Sequence, residues 1–142
     1  MTVLPDLFGA MEPKRIELAA GAMLLRGFAL DGVADLFHAL HGIIDAAPFR
    51  HFVTPGGQTM SAAMTNCGNL GWVSDRKGYR YTQTDPDTGK PWPPLPATLL
   101  DLARRAAGDA GFSGFVPDAC LINRYAPGSR LTLHQDKNER DF

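Results

Sequence analysis

Apolar and polar positions change period several times along the chain, and each change predicts an element. Residues 1–14 mix Pro, Gly, Asp and Lys with no sustained period, which predicts an irregular surface arm ahead of a domain over 15–142. The apolar run Ala22-Met23-Leu24-Leu25 predicts a buried strand, and Asp31 stands where it could cap the helix that follows. Val33, Leu36, Phe37, Leu40 and Ile44 recur at helical spacing. That helix is expected to end at Ala47-Pro48, because a residue before proline avoids the helical region. His38 and His41 lie on it without an acidic or Cys partner nearby, so they read as surface or half-buried side chains and not as metal ligands.

Residues 49–94 are dominated by Gly, Pro, Thr, Asn and aromatics, with short strands expected near Thr59 to Thr65 and Arg80 to Gln83. Connections of this length are usually lids or binding surfaces, so substrate specificity is expected there. A second helix opens at Pro96, runs through Leu99, Leu102, Ala103, Ala106 and Ala110, stops at Gly111, and is expected to pack on a sheet. From Ala119 to Tyr125 strand alternation puts Leu121, Asn123 and Tyr125 on one face and Cys120, Ile122 and Arg124 on the other. Ala126-Pro127-Gly128-Ser129 is a turn sequence, after which Arg130 to His134 resumes the extended pattern.

Composition narrows the function classes. A chain of 142 residues, 44% hydrophobic, can bury a core as one unit. Its net charge of -1 argues against wrapping a long nucleic acid, which needs a basic excess. Cys67 and Cys120 are far apart in sequence and in no metal-like spacing, which predicts reduced thiols and a cytoplasmic location. No basic segment leads into an apolar one at the N-terminus and no apolar stretch approaches a membrane span, so neither export nor a membrane is expected.

The chemistry concentrates near the C-terminal end. His134 and Asp136, one residue apart in extended backbone, would send both side chains from the same face. An imidazole and a carboxylate converging in this way form two-thirds of the facial triad that holds Fe(II) and leaves adjacent positions open. Alone, His-x-Asp is a common pattern. Its setting is more specific: Asn123-Arg124-Tyr125-Ala126-Pro127-Gly128 precedes Leu133-His134-Gln135-Asp136-Lys137. Upstream stand Thr54-Pro55-Gly56-Gly57, Met60-Ser61, Ala63-Met64-Thr65-Asn66-Cys67-Gly68, Leu70-Gly71-Trp72, Gly78-Tyr79, Lys90-Pro91-Trp92-Pro93 and Pro117-Asp118-Ala119-Cys120-Leu121-Ile122. In this order the motifs closely resemble bacterial members of the AlkB family, from about Leu7 to the last residue.

The resemblance implies an α+β fold: the N-terminal part of a double-stranded β-helix (jelly-roll), with two flanking helices and a nucleotide-recognition lid over about 49–94. It implies Fe(II) held by His134 and Asp136, and 2-oxoglutarate held by Asn123 and Tyr125 with Leu121 lining the same pocket. It implies that Trp72 stacks on a damaged base with the His134 ring on the other side, that Tyr79 touches the flanking backbone, and that Thr54 and Met64 line the pocket. Arg76, Lys77 and Arg80 cluster about Tyr79 within reach of phosphate. The implied reaction consumes molecular oxygen and removes methyl groups of the 1-methyladenine and 3-methylcytosine type from single-stranded DNA or RNA as formaldehyde, in a monomer. A base methylated in this way is cationic, which favours an indole platform.

The sequence departs from the family pattern in three ways. Asn138, at a base-reading position, replaces an acidic residue of close bacterial relatives, and Gln58 replaces an aromatic of the lid. After Asp136 only Lys137 to Phe142 remain, whereas the family places a third iron ligand, a histidine, and an arginine for 2-oxoglutarate further on. The expectation is therefore an incomplete barrel with exposed strand edges and marginal folding. A demethylating dioxygenase, an inert nucleic-acid-binding fragment, or a dioxygenase acting on another substrate fits such a chain.

Overall fold

The computed structural model describes residues 14–137, so nearly all of the N-terminal arm, and Asn138, lie outside the described residues. The element order is β1 (Arg15–Ala19), β2 (Ala22–Leu25), a 3-10 turn (Leu30–Gly32), α1 (Val33–Ala46), β3 (Ala63–Gly68), β4 (Gly71–Asp75), β5 (Gly78–Thr82), α2 (Ala97–Asp109) and β6 (Ala119–Arg124). The strands form three antiparallel pairs, β1 with β2, β3 with β6 and β4 with β5.

The short hairpin β1–β2 turns through Ala20-Gly21, where Gly21 takes a φ of +76°. The Ala22–Leu25 run is a strand as expected, but it is not buried: Ala22 and Leu24 face solvent. Among the described residues it pairs only with β1, and one face of such a ribbon is open to water. Asp31 does not cap α1, because the chain enters through the 3-10 turn and the N-cap position falls on Gly32. The helix thus begins at Val33, past the expected cap, and ends where its pattern predicts, with the Ala47 N–H closing on the Ile43 carbonyl before Pro48. Its buried residue is Ile43; of the predicted stripe, Leu36, Leu40 and Ile44 are half-buried while Val33 and Phe37 are exposed. His38 and His41 are exposed.

The second helix starts one residue later than predicted, with Pro96 as its N-cap. At its end Gly111 (φ +95°) donates to the Gly108 carbonyl and Phe112 to that of Ala107, the paired bonds of a Schellman stop. It packs against α1 and not, as predicted, on a sheet: its half-buried side chains meet the other helix.

The stretch 49–94 contains three strands. The second of them, Gly71–Asp75, was not predicted, because its burial comes from packing that its Gly-Trp-Val-Ser-Asp sequence does not announce. The core lies here: Ala47, Phe52, Ala62, Met64, Val73 and Trp92 are buried together, with Met60 and Trp72 packed on them. Burying such side chains contributes about 1.5–3 kcal/mol each for the larger ones. Arg50 fastens the far loop to this core. Its guanidinium makes paired bonds of 2.6 and 2.8 Å to the fully buried Asp85 carboxylate and lies 5.2 Å over the Trp92 ring.

Candidate active-site cavity

The aromatic wall of the site is built by the β4–β5 hairpin. Trp72 and Tyr79 sit on one face of the hairpin, two pairs apart in the ladder, and their rings stack at 5.6 Å with 17° between planes. Phe52 meets the indole edge-on at 5.9 Å. The Trp72 backbone is clamped by Asn66, whose amide nitrogen donates to the Trp72 carbonyl and whose amide oxygen accepts from the Trp72 N–H, both at 2.9 Å. Asn66 is fully buried on β3, so the clamp is shielded from water.

The opposite wall comes from β6, paired with β3 so that Met64 faces Asn123 and Asn66 faces Leu121. Side chains of opposed residues leave the same face, which brings Met64, Asn66, Leu121, Asn123 and Tyr125 together. The Asn123 amide nitrogen donates to the Tyr125 hydroxyl at 3.0 Å, while its amide oxygen is buried with no hydrogen-bond partner among the described residues. After β6 the Ala126-Pro127-Gly128-Ser129 turn closes with Ser129 N–H on the Ala126 carbonyl, Gly128 at φ +90°.

Beyond this turn the predicted strand from Arg130 to His134 does not form among the described residues: the segment has no ladder, and Leu131 and Leu133 are exposed. Extended backbone becomes a strand only when a neighbour accepts and donates its hydrogen bonds. His134 and Asp136 nevertheless meet, Nε2 to Oδ1 at 3.3 Å. The Thr132 carbonyl sits 2.8 Å from His134 Nδ1, and a carbonyl can only accept, so Nδ1 carries a proton and Nε2 is the nitrogen turned to the carboxylate. The gap between Nε2 and the carboxylate oxygen is one that a proton or a cation fills.

These residues line one cavity of about 760 Å³: Thr54, Met64, Trp72, Tyr79, Leu121, Asn123, Tyr125, His134 and Asp136 are all on its wall, and so is Gln58. Asn138 falls outside the described residues. The basic cluster divides. Arg80 makes paired bonds of 2.8 and 2.9 Å to Asp75, which hold that carboxyl below the ordinary carboxylate range, so the guanidinium is already neutralised. Arg76 and Lys77 stay exposed at the tip of the hairpin.

Residues 21–142 match the 2OG-Fe(II) oxygenase superfamily. The chain belongs to that superfamily. Its AlkB-like motifs hold up as well: it is 54% identical over 137 residues to the alpha-ketoglutarate-dependent dioxygenase AlkB of Escherichia coli (strain K12), an alignment covering 96% of this chain and 63% of the relative. A second similar protein is the alpha-ketoglutarate-dependent dioxygenase AlkB homolog of Caulobacter vibrioides, 48% identical over 97 residues, 68% of this chain and 42% of that one. The nucleic acid dioxygenase ALKBH1 of Mus musculus is 33% identical over 73 residues, 51% of this chain and 18% of that one. The chain thus spans less than two thirds of the length of these relatives. Antiparallel strands with two helices are consistent with part of the superfamily's jelly-roll.

The superfamily's metal is Fe(II) and its cosubstrate 2-oxoglutarate, and the side chains present suit both. Two donors at right angles, each about 2.1 Å from one ion, lie about 3 Å apart, close to the 3.3 Å between His134 Nε2 and Asp136 Oδ1. Among the described residues no third His, Cys, Asp or Glu joins them. The buried amide oxygen of Asn123, without a partner among the described residues, marks this end of the cavity as a place for a polar ligand.

Asn66 and the Arg50–Asp85 pair were not singled out from sequence. A signal existed for the first, since Asn is rare in strand interiors. None existed for the second, which joins residues across the whole 49–94 stretch.

Proposed function

We propose that the chain is the iron- and substrate-binding portion of a dioxygenase that oxidatively demethylates N-alkylated bases in DNA, and in RNA, releasing formaldehyde. The observation that carries this reading is the meeting of the His134–Asp136 donor pair with the Asn123–Tyr125 pair and the Trp72–Tyr79 stack on one cavity. When bound, iron with 2-oxoglutarate and oxygen supplies the oxidising power.

The chain's own groups bind and orient. The Thr132 carbonyl fixes the His134 tautomer, leaving Nε2 as the ligand atom beside Asp136. Because the Tyr125 hydroxyl accepts from Asn123, its own proton is free to donate to a carboxylate of 2-oxoglutarate, with Leu121 giving that pocket an apolar wall. Trp72, held through its backbone by Asn66, offers a π surface to a cationic methylated base, with Thr54 and Met64 beside it and Tyr79 behind. Such a base leaves the stack more readily than an intact one. Replacing a methyl C–H by C–OH yields a hemiaminal; its N–C bond then breaks, formaldehyde and the hydroxyl proton leave, and the ring nitrogen regains its lone pair and loses its positive charge. Residues of about 49–94, with the exposed Arg76 and Lys77, form the nucleotide-recognition lid. Asn138 belongs to the same base-reading set by sequence alone. A monomer in the cytoplasm fits these roles, and no helix among the described residues is long and apolar enough to cross a membrane.

The test incubates the chain with Fe(II), 2-oxoglutarate and single-stranded DNA carrying 1-methyladenine, with formaldehyde as readout. Release above an Asp136→Ala control supports the reading. Release equal to that control, while the DNA still quenches tryptophan fluorescence, refutes turnover and leaves a binding fragment.

A further inference from the structure

The face of the β3–β6 pair turned away from the cavity carries chemistry that demethylation does not use. Cys67 and Cys120 stand directly opposite each other in the ladder. The bonds on the other edge of β3 define what kind of pair they are. Met64 exchanges both backbone bonds with Arg50, and Gly68 donates to the Pro93 carbonyl, so the even-numbered residues point their backbone groups away from β6. Backbone direction alternates along a strand, so Cys67 points toward β6 and forms a hydrogen-bonded pair with Cys120. In such pairs the Cα atoms lie about 5.5 Å apart, within the span of about 4.4–6.8 Å that a disulfide bridges. Both side chains leave the same face, both thiols are free, Cys67 is fully buried and Cys120 half-buried.

We propose that Cys67 and Cys120 are a peroxide-sensitive dithiol, in which Cys120 is oxidised first and Cys67 resolves it to a cross-strand disulfide. Exposure favours this order, since Cys67 is fully buried while Cys120, half-buried, is the residue of the two that a small oxidant can approach. Acidity agrees with it. The bond from the Cys67 thiol lowers the Cys120 thiol to about 7 against the opposing effect of burial. The same bond, burial and the charge of its partner drive Cys67 far up.

The Cys120 thiolate attacks one oxygen of hydrogen peroxide, forming an S–O bond as the O–O bond breaks, and the departing hydroxide takes the proton that Cys120 released. Cys67 sulfur then attacks Cys120 sulfur. The S–S bond forms, the S–O bond breaks, and the Cys67 proton leaves with that hydroxide as water. Two thiols and one peroxide thus become one disulfide and two waters, the sulfur pair losing two electrons to the peroxide. The new bond ties β3 to β6 directly behind Asn66 and Leu121, which face the cavity.

The experiment treats the reduced full chain with stoichiometric hydrogen peroxide under native conditions, then alkylates, digests without reductant and maps peptides. The expected result is simultaneous loss of both thiols, a mass lower by about 2 Da, a Cys67–Cys120 cross-linked peptide, and recovery of both thiols with dithiothreitol. Cys67→Ser should stop at a Cys120 sulfenic acid that dimedone traps, and Cys120→Ser should leave Cys67 unmodified. Sulfinic acid on either residue with no cross-link, a disulfide joining two copies, or thiols that survive peroxide would overturn the proposal. The unmutated chain decides alone should a variant fail to fold, and none of these readouts depends on demethylation.

Discussion

Asp85→Asn is the sharpest probe of what holds the cavity's surroundings in place. The Arg50 side chain is 9% exposed and that of Asp85 1%, so the substitution leaves a guanidinium buried against a neutral amide. Breaking a buried pair by removing one charge costs about 3–5 kcal/mol. Arg50 keeps its bond to the Pro48 carbonyl and lies 3.5 Å from Asp87, so the lower end, about 3 kcal/mol, is expected. For a chain of this size that is a fall in Tm of about 6–12 °C. Urea unfolding followed by circular dichroism measures it. Asp101→Asn is the control: it breaks the exposed Asp101–Arg105 pair, which also has a 2.8 Å bond, and should cost at most about 0.5 kcal/mol. The double variant Arg50→Met/Asp85→Leu should recover most of the loss, because it removes the buried charge with its partner. An Asp85→Asn variant no less stable than Asp101→Asn would refute the reasoning. Acid adds an independent check. Burial pushes the Asp85 carboxyl up, but the Arg50 guanidinium, the Asp87 N–H and Thr88 more than offset this and hold it below its ordinary value. A folded value below the unfolded one means the contribution is complete above about pH 3.9 and is lost as pH falls through the folded value. The stability difference between the parent chain and Asp85→Asn should therefore shrink below about pH 4.

Two further substitutions test the aromatic wall. Asn66→Ala strips two bonds from the part-buried Trp72 backbone and should cost about 2–3 kcal/mol, with a red shift of tryptophan emission as the hairpin loosens; an unchanged urea midpoint would count against the clamp. Gly71→Ala would drive a methyl into the Trp92 indole, which is fixed by its N–H on the Thr82 carbonyl, so a loss of about 1–3 kcal/mol is expected in the same assay, and a loss below about 0.5 kcal/mol would show that the indole yields.

What could be read from the sequence was local. The end of α1, the Gly111 stop of α2, the Pro127-Gly128 turn and the face of β6 shared by Leu121, Asn123 and Tyr125 each follow from a few neighbouring residues, whose φ preferences and spacing act within a turn or a strand. The motifs likewise carried the family. Burial and partnership were not legible, because they depend on which distant segment lies alongside. The apolar Ala22–Leu25 run is half open to water for want of a second covering layer, and the stretch after Ser129 is no strand for want of a described neighbour. Tertiary structure alone brought Asp85 to Arg50, Asn66 to the backbone of Trp72, and the sulfur of Cys67 to that of Cys120. Sequence separation says nothing about such meetings. The antiparallel register of β3 on β6 and the packing of the hairpin on the core decide them, since directional bonds form only between groups the fold has already brought together.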